Sequence, residues 1–268
     1  RDRIKVVHGD TAYTPYSTGT WGSRCIVMAG GAVSAASEQL AERIGKIAAH
    51  LIQARPEDVI LSDGFARAGG SEISIEEVAR AWYRAPQLLP DDVDPRGLEV
   101  TAGYKTVKDT GTFSYACHAV TVSVDLDLGD IKLLDYVIVE DAGTMINPMV
   151  VDGQVLGGAT QGIGTALFEE MPFDAAGQPL ASTLADYHLP VAADLPPIRI
   201  VHMETPSPLS RYGQKGIGES GAIGPPAAIA NAVNDALAPL GVEVTAIPMT
   251  PERVLRAIAA AGGKGGAA

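Results

Sequence analysis

Apolar residues recur at helical spacing between Gly30 and Gln53, at Val33, Ala36, Leu40, Ile44, Ile47 and Leu51, with Glu38, Glu42, Arg43 and Lys46 off that stripe. The pattern predicts a long amphipathic helix. From Tyr115 to Asp127 the period falls to two: His118, Val120, Val122, Val124 and Leu126 share one face, and Thr121, Ser123, Asp125 and Asp127 the other. Gly129-Asp130 then turns the chain into a second strand, Ile131 to Glu140, giving an antiparallel hairpin with one wet face. His118 falls on the apolar face, where a satisfied core or inter-subunit histidine is expected before a ligand. Shorter signals predict an opening strand at Ile4–Val7, a hairpin about Ser62-Asp63-Gly64, and a turn from Asp174 to Gly177. Strands are expected at Ile198–Met203 and Val242–Ile247, and a final helix from Thr250 with Pro251 at its first position. Ser74 with Glu77 three residues on forms a capping box, starting a helix near Ile75. Pro86 to Pro95 is a proline-rich acidic connector, and the tail from Gly262 to Ala268 is expected to be flexible.

Glycine interrupts this pattern in three places. The polar loop Gly9 to Gly22 leads through Gly19-Thr20-Trp21-Gly22-Ser23-Arg24 into the first helix, and reads either as an anion-holding loop or as a glycine-hinged entry. Pro148 to Glu169 has helical length but carries Gly153, Gly157, Gly158, Gly162 and Gly164, at roughly 1 kcal/mol each. Another backbone or a flat ligand must therefore approach it closely, with the Gln154 and Gln161 amides on that surface. The third is Gly213-Gln214-Lys215-Gly216-Ile217-Gly218-Glu219-Ser220-Gly221, in which one carboxylate stands among glycines ahead of a helix whose first turn is expected at Pro225-Pro226. This segment satisfies G-x-G-x-x-G, but a dinucleotide fingerprint should close the first strand of a parallel unit, and too little chain follows to build one.

Composition narrows the functions available. A formal net charge of -12 and the lack of any basic run disfavour nucleic acid and anionic membrane as partners. No apolar stretch approaches the ~20 residues of a membrane span and no signal peptide opens the chain, so a cytoplasmic protein is expected. Arg1 is not Met, and the expectation is that sequence precedes it. Cys25 and Cys117 form no C-x-x-C motif, and His8, His50, His118, His188 and His202 lack ligand spacing. An iron-sulfur cluster or side-chain-ligated metal within the chain is not expected. Hairpins and long helices without regular strand-helix alternation indicate an α+β fold of two intimately packed subdomains with mixed or antiparallel sheets. The expected division is 1–98, carrying the loop 18–25, and 99–268, carrying Gln161 and Glu219.

Five segments, in order, carry a resemblance: Thr18 to Arg24, Phe113 to Asp125, Asp141 to Pro148, Asp152 to Gly164 and Lys215 to Gly221. Together the chain resembles the C-terminal part of the molybdopterin-binding large subunit of the xanthine dehydrogenase, aldehyde oxidase and carbon monoxide dehydrogenase family. The resemblance implies a molybdenum held only by the dithiolene of a pterin, which agrees with a sequence that lacks protein metal ligands. It implies that Glu219 is the general base of an oxidative hydroxylation of an aldehyde or N-heterocycle with water-derived oxygen. The Gly22 backbone would approach the molybdenum. Trp21, Ser23, Arg24 and Cys25 would follow the pterin and its phosphate, with Gln161, Lys215, Gly216 and Gly218 as further cofactor contacts. Serine after Glu219 resembles bacterial members, so molybdopterin cytosine dinucleotide is the expected form. Electrons in this family leave through [2Fe-2S] clusters and usually FAD, implying an iron-sulfur subunit, an FAD subunit and the N-terminal half of the molybdenum subunit as partners, besides a small-molecule substrate. Two alternatives stay open: a non-catalytic assembly or cofactor-holding subunit of the same fold, and an NAD-binding oxidoreductase built on the G-x-G-x-x-G match.

Overall fold

The computed structural model describes residues 4–94, 96–106, 108 and 112–262 of the 268-residue chain. The expected flexible tail lies, beyond Gly262, outside the described residues. Contacts divide the chain into two compact units, residues 26–109 and residues 1–25 with 110–268. This differs from a division at residues 98 and 99: the loop 18–25 groups with the Glu219 segment, because Ser23 hydrogen-bonds to Glu219 across 196 residues of sequence.

The unit 26–109 holds nearly all of helix α1 (Cys25–Ile52), a meander of β1 (Ile60–Ser62), β2 (Phe65–Ala68) and β3 (Ser71–Ser74), and helix α2 (Ile75–Arg84). The stripe on α1 packs through its C-terminal half, where Ile44, Ile47 and Ala48 meet Ala66 and Val78, while Val33 remains exposed. The capping box forms as expected: Ser74 Oγ accepts from the Glu77 N-H at 3.1 Å, and the Ser74 N-H donates to Glu77 Oε2 at 3.1 Å. Arg43 is buried on α1 and fastens the proline-rich connector, donating to Asp94 at 2.8 Å and to the Gly97 carbonyl.

The larger unit contains β4 (Tyr115–Val124), β5 (Ile131–Asp141), α3 (Pro148–Leu167), β6 (Ile198–Met203), α4 (Ser220–Leu237) and α5 (Pro251–Gly262). β4 and β5 form the expected hairpin, with His118 opposite Ile138 and a register shift at Thr121/Val122. β6 adds parallel to β5, so β5, α3 and β6 make a crossover and the sheet is mixed. The core lies between this sheet and α3, α4 and α5, around Tyr136, Ile138, Val155, Ile163, Ile229, Val233 and Val254. His118 is half-buried there, its Nδ1 3.0 Å from the Tyr136 hydroxyl.

Three expectations change. Ile4–Val7 is exposed and pairs with no strand among the described residues. Residues 242–247 form no strand either, because the Asn234 amide takes a sheet partner's place, accepting from the Val244 N-H at 2.8 Å and donating to its carbonyl at 3.1 Å. α4 begins at Ser220, so Pro225 and Pro226 lie inside the helix rather than at its start. Tertiary packing holds that early turn: a Cβ on Gly158 would lie 3.0 Å from the Ala222 nitrogen, one on Gly162 would lie 2.8 Å from the Ala222 oxygen, and one on Gly221 would lie 2.3 Å from the Val155 oxygen. The close partner of Gly158 and Gly162 is thus the backbone of α4, and the helical cost of these glycines is offset by helix-helix contact.

Candidate functional site around Glu219

The segment that presents Glu219 is anchored from beneath. Lys215 donates its backbone N-H to the Ala142 carbonyl at 2.8 Å, and Gly143 bridges Gln214 across the end of β5. The Lys215 ammonium is buried, 2.8 Å from Asp141 Oδ1 and 4.6 Å from the Tyr115 ring centre. Asp141 also accepts from the Gly143 N-H at 2.8 Å, the Thr205 N-H at 2.9 Å and the Tyr115 hydroxyl at 3.0 Å. Burial alone would push this carboxyl up, but the hydrogen bonds from Lys215, Thr205 and Gly143 outweigh it and hold Asp141 well below the usual carboxylate range. Lys215 is therefore taken up inside the fold as a strut of the loop, rather than presented beside Glu219.

Gly216 and Gly218 carry the chain past Ser23. A Cβ on Gly216 would lie 2.2 Å from the Ser23 carbonyl oxygen, and one on Gly218 would lie 3.4 Å from Ser23 Oγ and 3.8 Å from Gln154 Oε1. Glu219 follows at the N-terminal boundary of α4, but its carboxylate does not cap that helix. Instead Ser23 Oγ donates to Glu219 Oε2 at 2.6 Å, and the Glu219 N-H donates back to Ser23 Oγ at 2.9 Å. The Glu219 side chain is exposed on this chain.

The opposing loop is shaped by Arg24. Its guanidinium is buried and turned inward, donating to the Gly19 carbonyl at 2.9 and 3.2 Å and to Thr18 Oγ1, and it lies 4.1 Å from the Trp21 ring centre. Gly22 has φ +56°, and a Cβ there would meet nothing within 4 Å, so the loop leaves open space on that side. Cys25 is exposed at the first residue of α1. Gln154, nearly two turns into α3, borders Gly218, whereas Gln161 is exposed about two turns further along the same helix, ~10 Å away. Of the residues expected from sequence, the structure brings Ser23, Gly216, Gly218 and Glu219 together, with Gly22 next to them in the chain. It adds Gln154 and the Asp141 anchor, which no spacing in the sequence marks. The one available signal was the adjacent carboxylate pair Glu140-Asp141 closing the apolar run Tyr136–Val139 at the end of β5.

Glu140 belongs to a second polar group. His202 on β6 stands between Glu140 Oε1 and Asp152 Oδ1, the latter at 2.6 Å. Burial pushes the Glu140 carboxyl up, only partly countered by His202. Burial opposes charge on His202 too, but the hydrogen bonds to Asp152 and Glu140 prevail and its pKa stands above 6.5. Among the described residues no group of three or more His, Cys, Asp and Glu is arranged to hold a metal. The open space at Gly22 and the exposed Glu219 carboxylate leave room for a ligand beside the two loops.

Comparison with known proteins decides the family. A family model described as a molybdopterin cofactor-binding domain matches residues 1–196. The chain belongs to this molybdopterin-binding family. It is 41% identical over 96% of its length to the nicotine 6-hydroxylase large subunit of Paenarthrobacter nicotinovorans, covering 31% of that protein. It is 35% identical over 95% of its length to the carbon monoxide dehydrogenase large chain of Hydrogenophaga pseudoflava, again covering 31%. Among solved structures, quinoline 2-oxidoreductase from Pseudomonas putida 86 matches with a TM-score of 0.82 and 41% identity, over 92% of this molybdopterin-binding chain and 32% of that one. The chain thus spans about a third of the length of these relatives. No helix among the described residues is long and apolar enough to cross a membrane.

Proposed function

We propose that this chain is the C-terminal, cofactor-binding part of a molybdenum hydroxylase, and that Glu219 is its general base. The observation that carries the reading is the meeting of the two loops: a carboxylate from a glycine-rich segment, one oxygen held by Ser23, next to the open Gly22 turn. Bound molybdopterin would supply the oxidising metal and the activated oxygen. Gly22 would let that cofactor approach the backbone without collision. Arg24, bonded inward, would fix the shape of the 18–24 loop, and Gln161 would hydrogen-bond the pterin from α3, with Gln154 a further amide nearer the carboxylate. Glu219 would accept, at Oε1, the proton lost as the attacking oxygen bonds to the substrate carbon. An N-heterocycle is favoured over an aldehyde as substrate, since both relatives at 41% identity are named for N-heterocyclic compounds. The cytosine dinucleotide form of the cofactor and electron transfer to [2Fe-2S] and FAD groups on partner subunits complete the proposal; relatives are named as the large subunit or large chain of their enzymes.

The test is metal and nucleotide analysis of the purified native assembly. Stoichiometric molybdenum with CMP released on acid hydrolysis is the expected result, and an assembly without molybdenum would overturn the reading.

A further inference from the structure

Ser23 has a conformation and a set of bonds that contact with a cofactor does not account for. Ser23, Gln53 and Asp63 are the non-glycine residues with positive φ among the described residues. Gln53 follows the end of α1 and Asp63 sits in a hairpin turn, both places where a left-handed residue is ordinary. Ser23 instead occupies the second central position of the turn Trp21–Arg24, closed by the Arg24 N-H on the Trp21 carbonyl, with φ +56° at Gly22 and +59° at Ser23. Those are the φ signs of a type I′ turn, which favours Gly, Asn or Asp at both positions. A serine there bears conformational strain that glycine would remove, and strain of this kind persists where its surroundings enforce it. The surroundings are the Glu219 loop. Gly216 lies against the Ser23 carbonyl so closely that no side chain fits between them.

The donor of the hydroxyl is also committed. The hydroxyl has one proton, which goes to Glu219 Oε2, and it spends a lone pair on the Glu219 N-H. In this arrangement it has no donor left for a phosphate or pterin oxygen. We propose that Ser23 is the positioning residue of Glu219, holding one carboxylate oxygen so that Oε1 alone faces the reacting atoms, and that its strained turn exists to deliver that hydroxyl. This inference rests on the reading of Glu219 as base.

The test uses the assembled molybdenum enzyme with Ser23→Gly and Ser23→Ala, alongside Glu219→Gln. Glycine relaxes the turn, so Ser23→Gly should keep or raise the thermal midpoint, which separates this role from folding. The expected results are unchanged molybdenum content and a fall in kcat of roughly tenfold with little change in KM in both variants. An unchanged kcat in both variants, a loss of activity carried by KM instead, or a loss of molybdenum that matches the loss of activity, would overturn the proposal. With Glu219→Gln inactive, those outcomes remove only the role of Ser23. Full activity in Glu219→Gln would remove the base assignment, and this inference with it.

Discussion

At the residue scale, backbone proximity makes Gly216 sensitive. Its Cβ position lies 2.2 Å from the Ser23 carbonyl oxygen, a backbone atom that cannot rotate away. Gly216→Ala should therefore cost about 1–3 kcal/mol and shift Ser23 off Glu219, lowering kcat together with the urea midpoint. Lys215 makes the opposite point about chemistry inferred from a motif. It stands in the glycine-rich segment, yet its ammonium is buried against Asp141. Lys215→Met leaves that carboxylate buried without its cation, and should lower unfolding free energy by roughly 3 kcal/mol, measured by urea titration. A cofactor contact alone would leave the stability of the apo chain unchanged.

At the element scale, the decisive contact is α3 on α4. Gly158 and Gly162 admit the first turns of α4, and Gly221 meets the Val155 carbonyl, so close backbone contact places the start of the helix that begins after Glu219. Gly162→Ala puts a methyl 2.8 Å from the Ala222 oxygen and the Pro225 ring, and should destabilise by about 1–3 kcal/mol, whereas Gly157→Ala, with nothing within 4 Å, should stabilise α3 by a few tenths to 1 kcal/mol. Equal effects from the two substitutions, compared by thermal unfolding, would contradict this account of α3.

Much of this level was legible in the sequence. The period-two run of β4, the stripe of α1 and the capping box of α2 are local signals that tertiary structure left intact. The start of α4 was not legible, because Pro225-Pro226 reads locally as a helix start and only α3 explains the earlier turn. Nor was the absence of a strand at 242–247, where the side chain of Asn234 supplies the bonds a neighbouring strand would. Within the site, the glycines about Glu219 were visible, while the bond from Ser23, 196 residues away, needed the fold.

At the scale of the whole molecule, the cluster of Glu140, His202 and Asp152 ties β5, β6 and α3 together and makes stability depend on pH. Both Glu140 and His202 have pKa values raised by folding, from ordinary values of 4.5 and 6.5. Each therefore contributes stability that is present at low pH and lost as pH rises, for His202 from about 6.5 through its higher folded value. Unfolding free energy should fall with rising pH across that window, and His202→Gln should flatten the slope; an unchanged slope would contradict the assignment. The same fold joins a loop near residue 20 to one near residue 219 within a unit that belongs to the molybdopterin-binding family. The central claim is that the carboxylate held there is the base. The most direct test is the turnover of Glu219→Gln in the assembled enzyme at matched molybdenum content: the account predicts a loss of at least about 100-fold in kcat, and turnover within a fewfold of wild type would contradict it.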